Sequence, residues 1–97
     1  METDADPIRW GIVSTGYIAR KMTAELRLLP DARLSAVSSR SSERAQAFAD
    51  EYGVERAYGS VEDLLADDSV DIVYVATPHA QHAPIVGGAL DAGRAVL

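Results

Sequence analysis

The feature that most constrains the fold is a regular alternation of strand-like and helix-like segments along nearly the whole chain. Short apolar runs such as DIVYVA at residues 71–76 are typical of parallel strands that are covered on both faces. Between such runs lie segments whose apolar residues recur at helical spacing, for example residues 43–52. Strand and helix alternating in this order require a parallel sheet with right-handed crossover connections. We therefore predict an α/β fold built on a doubly wound parallel sheet.

Turn and capping residues set the predicted limits of each element. Pro30 ends the first helix, and Gly53 is predicted to end the second. Ser60 followed by Asp63 resembles a capping box at the start of a third helix. The predicted strands are residues 8–13, 33–38, 54–58 and 71–76 with a fifth that begins at Arg94, and the predicted helices are residues 17–29, 43–52, a short segment after Ser60, and 81–92.

Composition indicates one globular domain at residues 8–97, preceded by a flexible acidic tail at residues 1–7. The 97 residues carry a formal net charge of −6 and are 47% hydrophobic. The negative charge disfavours broad contact with nucleic acid or a membrane surface, and no apolar run is long enough to span a bilayer. The absence of cysteine excludes a disulfide framework, a thiol nucleophile and a cysteine-based zinc site. Because the tail carries no signal-peptide pattern, we expect a cytoplasmic protein.

The loop after the first predicted strand resembles a phosphate-binding turn. Residues 11–19 read GIVSTGYIA, which matches the fingerprint G-x-G-x-x-G/A except that Ser14 takes the place of the first glycine. Gly16 lies where a pyrophosphate would approach the backbone at a helix N-terminus, and Ala19 is small enough for the helix to lie on the sheet. We expect that Ser14 need not adopt a positive φ. An ordinary strand-to-helix turn is the alternative interpretation. The predicted cofactor contacts in this loop are Ser14, Thr15, Gly16, Tyr17 and Ile18.

The loop after the second predicted strand favours NADP over NAD. NAD-binding folds commonly end this strand with a carboxylate that holds the ribose 2′-OH, whereas an arginine suits a 2′-phosphate. Residues 38–42 read SSRSS, with no carboxylate before Glu43. The Arg40 guanidinium can grip a phosphate, and Arg44, one helical turn further on, could cover the adenine face. The alternative is that Arg40 is a solvated loop residue. The predicted contacts here are Ser39, Arg40, Ser41 and Arg44.

The loop after the fourth predicted strand, ATPHAQH at residues 76–82, is expected to meet the other two loops at the carboxyl edge of the sheet. We predict that it forms a wall beside the nicotinamide ribose. Two histidines without cysteine or a nearby set of carboxylates are a weak metal signal, so we predict no metal site. For the second histidine, a capping or packing role is an equal alternative to ligand contact. The predicted contacts are Ala76, Thr77, Pro78, His79 and His82.

Four blocks of sequence together resemble the N-terminal domain of the glucose–fructose oxidoreductase / inositol dehydrogenase (Gfo/Idh/MocA) family. The blocks are WGIVSTGYIARKM, AVSSRSSERAQAFADEYGV, AYGSVEDLLAD and VDIVYVATPHAQHAPIVGGALDAGRAVL. The resemblance covers the chain from Ile8 onward. Within the family, the sequence is similar to the branch of dihydrodiol and sugar dehydrogenases that use NADP. It implies a Rossmann-type domain of an enzyme that transfers hydride between a nicotinamide and a sugar, polyol or diol-type alcohol. It also implies that Ser14 is a tolerated variant of the fingerprint.

The resemblance also implies parts that these 97 residues do not contain. In the family, a Glu-Lys-Pro motif follows the fifth strand and supplies the usual catalytic lysine, and a second domain supplies the substrate pocket. We therefore expect a sheet truncated at about the fifth strand, no catalytic residue in this chain, and no turnover by the chain alone.

An uncovered fifth strand predicts self-association, and the resemblance implies a homo-oligomeric parent. A stand-alone nucleotide-binding or regulatory module is the alternative function. A methyltransferase-like fold is disfavoured by the SSRSS loop.

Overall fold

A parallel β-sheet of five strands forms the centre of the computed structural model, which describes residues 7–76, 88, 93, 95 and 96. The strands lie in the order β3-β2-β1-β4-β5, and every neighbouring pair is parallel, as the sequence predicted. In chain order the elements are β1 Ile8–Val13, α1 Tyr17–Leu26, β2 Ala32–Ser38, α2 Ser42–Tyr52, β3 Arg56–Tyr58, α3 Val61–Leu65, β4 Ile72–Val75 and β5 Ala95–Val96. The predicted acidic tail and the predicted helix at 81–92 lie almost wholly outside the described residues.

Helices cover both faces of this sheet, so the doubly wound α/β architecture is confirmed. Ile12 and Val13 are consecutive in β1 and therefore point to opposite faces. Ile12 belongs to the cluster under α1 and α2, whereas Val13 belongs to the cluster under α3. Burial of each such side chain contributes about 1.5–3 kcal/mol, which explains why the central strands are apolar on both faces. Within the described residues, no helix is long and apolar enough to cross a membrane.

Two predicted boundaries differ from the structure by more than one residue. Helix α1 ends at Leu26 instead of residue 29, because the amides of Leu28 and Leu29 bond three residues back and tighten the chain into turns. Leu29 is consequently 53% exposed and does not extend the buried face of α1. Strand β3 begins at Arg56 instead of residue 54, because the N–H of Val54 donates to the Ala49 carbonyl at 3.0 Å. Val54 is buried in the α1–α2 cluster.

Capping residues determine where α2 and α3 begin and where α2 ends. The Ser41 hydroxyl accepts the Arg44 N–H at 3.3 Å, so α2 starts directly after the loop that follows β2. Gly53 has a φ of 75° and a ψ of 32° and ends α2 in the left-handed conformation, as predicted. The Ser60 hydroxyl accepts the Asp63 N–H at 3.1 Å, which confirms its predicted capping role. Each such cap is worth about 1 kcal/mol.

A polar network ties β3 to the loop that precedes β4. The Tyr58 hydroxyl donates to one oxygen of the Asp67 carboxylate at 2.7 Å, and the Ser69 hydroxyl donates to the other at 2.6 Å. Burial alone would raise the pKa of Asp67, but the hydrogen bonds from Ser69 and Tyr58 outweigh it and hold that pKa below its usual value. Burial, together with the hydrogen bond to Asp67, raises the pKa of Tyr58.

We expect this network to make the free energy of unfolding fall in acid. Because the pKa of Asp67 is lower in the folded chain than its ordinary value of 3.8, its stabilising contribution is present above that pH and is lost as the pH falls through the folded-state pKa. Asp67→Asn is expected to cost about 1–3 kcal/mol at neutral pH and to flatten the acid decline. Urea unfolding measured at a series of pH values tests both effects, and parallel pH curves for the two proteins would contradict the assignment.

Candidate functional site

A cavity of about 640 Å³ opens at the carboxyl edge of the sheet, a volume typical of sites for small molecules and cofactors. It lies where the loops after β1 and β2 meet, beside α1, α2 and the start of α3. The lining residues are Val13, Ser14, Thr15, Gly16, Arg20, Ser38, Ser39, Arg40, Ser41, Arg44, Ala47, Phe48, Glu51, Ser60 and Val61.

In the turn after β1, the backbone of Ser14 adopts a strained conformation. Its φ is 99°, so the expectation that Ser14 need not adopt a positive φ is wrong. The reason is that the chain must turn from β1 into α1 while the Ser14 N–H still donates to the Ser38 carbonyl at 2.8 Å. The Ser14 hydroxyl accepts the Gly16 N–H at 3.2 Å, which offsets part of the strain. A glycine would adopt this φ without strain.

Nothing in the described part of the fold requires a glycine at position 16. It is the N-cap of α1 with an ordinary φ of −76° and ψ of −172°, so its backbone does not require glycine. A Cβ at Gly16 would meet the Ser14 hydroxyl oxygen at 3.6 Å, which is ordinary van der Waals contact. No side chain caps this helix end, and its first turn carries no acidic residue. The N–H groups of a helix start of this kind can receive an anion.

The loop after β2 is fixed by its own serines. The Ser39 N–H donates to the Tyr58 carbonyl at 3.1 Å, and the Ser39 hydroxyl accepts the Ser41 N–H at 3.3 Å. The Ser41 hydroxyl is the acceptor that caps α2. In each of these two side-chain bonds the hydroxyl acts as acceptor, so its own hydrogen stays available for donation to a ligand. The backbone that carries Arg40 therefore has a defined position at the cavity.

Two arginines at this loop line the cavity without an acidic partner in the described part of the chain. Neither Arg40 nor Arg44 has an ion pair with a described residue, although the whole chain has a net charge of −6. Both are exposed and both line the cavity. Two guanidinium groups without a carboxylate partner favour an anionic ligand at this place. The arginines that do have acidic partners are Arg9 with Asp71, Arg20 with Glu51, Arg33 with Glu55, and Arg56 with Glu55 and Asp67.

The structure adds a wall between α1 and α2 that the sequence analysis missed. One guanidinium nitrogen of Arg20 lies 3.2 Å from each carboxylate oxygen of Glu51. The guanidinium carbon of Arg20 lies 6.0 Å from the centre of the Tyr52 ring. Glu51 is the only acidic residue among the described lining residues, and Arg20 neutralises it. Helical spacing could have predicted the α2 side of this wall. The positions three, four and seven residues after Arg44 share its face of the helix, and they are Ala47, Phe48 and Glu51.

Several predicted contacts do not line the cavity or lie beyond the described residues. Tyr17 is 75% exposed and Ile18 is 52% exposed, and neither lines the cavity. Ala76 packs against the α1–α2 cluster, and its N–H donates to the Val13 carbonyl at 3.2 Å. The predicted contacts of the third loop that lie outside the described residues are Thr77, Pro78, His79 and His82.

Fold and cavity together define a dinucleotide-binding domain. The profile of the group described as "Oxidoreductase family, NAD-binding Rossmann fold" matches residues 8–97, and the chain belongs to this family.

Relatives of known activity cover nearly all of this chain. It is 46% identical over 92 residues to trans-1,2-dihydrobenzene-1,2-diol dehydrogenase of Mus musculus and 45% identical to that of Homo sapiens, in each case over 93% of this chain and 28% of the relative. A 3-ketoreductase from Actinomadura kijaniata in complex with NADP superposes with a TM-score of 0.89 at 36% identity, over 95% of this chain and 29% of that one. The chain thus spans somewhat more than a quarter of the length of these relatives.

The strain at Ser14 gives a stability prediction with an internal control. Ser14→Ala keeps the positive φ and loses the hydroxyl that accepts the Gly16 N–H, so we expect it to be about 1 kcal/mol less stable than the wild type. Ser14→Gly also loses the hydroxyl but removes the strain, so it is expected to be about 1–2 kcal/mol more stable than Ser14→Ala. Urea unfolding of the three proteins measures the difference. Equal stability of the two variants would show that the turn relaxes in solution.

Proposed function

We propose that this chain binds NADP(H) as the cofactor half of an oxidoreductase that acts on a diol, sugar or polyol hydroxyl. The observation that carries the proposal is the pair of arginines, Arg40 and Arg44, which line the cavity without an acidic partner in the described part of the chain. The diol dehydrogenases that resemble the chain support the reaction class. The related ketoreductase, whose structure contains NADP, supports the cofactor.

The charge distribution in the cavity favours NADP over NAD. The 2′-phosphate adds a dianionic group to the adenosine ribose. A guanidinium group can form bidentate hydrogen bonds with two of the phosphate oxygens. The hydroxyls of Ser39 and Ser41 border the same loop and have hydrogens to donate. A carboxylate at this loop would repel the phosphate, but the one carboxylate among the described lining residues, Glu51, is paired with Arg20. This arrangement suits a phosphate better than a free 2′-hydroxyl.

The turn after β1 suits the pyrophosphate. The uncapped start of α1 presents N–H groups at the positive end of the helix dipole, and Gly16 leaves the approach to them open. The Ser14 N–H bond to the Ser38 carbonyl holds this turn directly beside the loop of Arg40. In NADP the pyrophosphate and the 2′-phosphate are attached to the same adenosine ribose. The two proposed phosphate sites lie next to each other, as that ribose requires.

The residues of this chain act in the reaction by binding and orientation. Bound NADP would supply the hydride acceptor. Among the described lining residues, Glu51 is the one carboxylate, and it forms an ion pair with Arg20. The described residues therefore provide no free acid for proton transfer, and we propose that they contribute a fixed position for the cofactor.

The cofactor preference can be tested with three arginine variants. We expect wild type to bind NADP more tightly than NAD, and Arg40→Ala and Arg44→Ala to lose about 1.5–3 kcal/mol of NADP affinity each, or roughly 10- to 150-fold. NAD affinity should change much less. Arg27→Ala is the matched control, since Arg27 is exposed at the far end of α1 and does not line the cavity. Isothermal titration calorimetry with both dinucleotides gives the affinities.

Two results would contradict the cofactor preference. One is equal affinity of the wild type for NADP and NAD. The other is an equal loss in Arg27→Ala, which would assign the effect to net charge and not to the cavity.

A separate prediction concerns Gly16. Gly16→Ala adds a methyl group that the folded chain accommodates, so we expect the free energy of unfolding to change by less than about 1 kcal/mol. The same methyl group lies in the approach to the α1 amides, so NADP and NAD should both bind about tenfold more weakly. Retention of full affinity by the folded variant would place the pyrophosphate elsewhere.

A further inference from the structure

Three buried hydroxyl groups have no hydrogen-bond partner among the described residues. They belong to Thr23 on α1 and to Ser35 and Ser38 on β2. A buried hydroxyl without a partner destabilises the folded state, so each of them calls for an explanation. Ser38 differs from the other two because it lines the cavity. Ser35 is equally buried, on the same strand, and does not line it.

The sheet register places the Ser38 side chain on the face covered by α3. Ser38 is paired with Val13 on one side and with Tyr58 on the other, and residues paired across parallel strands project to the same face. Val13 belongs to the cluster under α3, and Tyr58 packs against that cluster. The Ser38 hydroxyl is therefore across the sheet from Arg44 and Phe48, which belong to α2. Its position does not suit it for the proposed 2′-phosphate.

Ser38 also lies between the two proposed phosphate sites. Its carbonyl accepts the Ser14 N–H at 2.8 Å, so the pyrophosphate turn borders it on one side. Arg40 follows two residues later in the chain. In a dinucleotide, the group that joins the pyrophosphate to the 2′-position is the adenosine ribose.

We propose that the Ser38 hydroxyl hydrogen-bonds to the adenosine group of the dinucleotide, which rests on the proposed function of the cavity. Because the hydroxyl is buried in the structure, the contact requires a rotation about χ1 to another staggered rotamer. Adenosine is common to NADP and NAD, so this contact sets affinity for both and selects neither. In this respect Ser38 differs from Arg40, whose proposed contact exists in NADP alone.

The test compares Ser38→Ala with Ser35→Ala as a matched control. Both variants remove a buried hydroxyl that lacks a partner on β2, so the urea midpoint of each should equal or exceed that of the wild type. Ser38→Ala should bind NADP and NAD more weakly by the same factor, about five- to tenfold, whereas Ser35→Ala should bind both like the wild type. Ser38→Cys, which keeps the side-chain shape with a weak donor, should also weaken both and serves if the alanine variant does not fold.

Four outcomes decide between the assignments. Weaker binding of both dinucleotides by Ser38→Ala with retained stability supports the proposal. Unchanged affinity in a wild type that binds NADP overturns the role of Ser38 and leaves the proposed function intact. An equal loss of affinity in Ser35→Ala would mean that any substitution on β2 weakens binding, and it also overturns the role of Ser38. Failure of the wild type to bind either dinucleotide overturns the proposed function and the role of Ser38 together.

Discussion

The hydrogen bond from the Ser14 N–H to the Ser38 carbonyl, at 2.8 Å, is the contact on which the candidate site depends. It extends the pairing of β1 with β2 by one residue beyond the strands, and so it joins the two loops that line the cavity. Gly16 and Arg40 are then held at a defined separation by backbone alone. The cost is the φ of 99° at Ser14, which the local bond between its hydroxyl and the Gly16 N–H partly offsets. Strain at this turn is consistent with preorganisation of the proposed phosphate site, since a rigid turn loses less entropy when a ligand binds.

The candidate site is locally positive although the chain as a whole is acidic. Most of the described arginines have a carboxylate partner at the surface, where each pair contributes little to stability and mainly cancels charge. The ion pair of Arg20 with Glu51 does the same inside the cavity. Among the described residues, Arg40 and Arg44 line the cavity without an acidic partner, despite the net charge of −6. At short range such local groups outweigh the net charge of the molecule because salt screens the more distant charges. An anionic ligand at this edge and a negatively charged surface elsewhere are therefore compatible.

How far the sequence predicted this structure depends on the range of the interactions involved. The strand at residues 8–13 and the caps at Gly53 and Ser60 were predicted correctly, because each follows from residues within one turn or one strand. The end of α1 was wrong by three residues because Leu29 continues the helical pattern, yet its side chain is 53% exposed. The positive φ at Ser14 was missed because it accompanies a bond to Ser38, which lies on the next strand. The pairing of Arg20 with Glu51 was missed for the same reason.

By itself, the sequence determined the α/β class, the parallel sheet and the two loops that line the cavity. These features follow from periodicity and turn chemistry, which are local properties of the chain. Only the tertiary structure decided which side chains share the cavity. It joined Arg20 and Glu51 to the predicted loops, left Tyr17 and Ile18 outside the lining, and buried the Ser38 hydroxyl without a partner among the described residues. The physical reason is that burial and charge pairing depend on distances between elements, and packing of the helices on the sheet sets those distances.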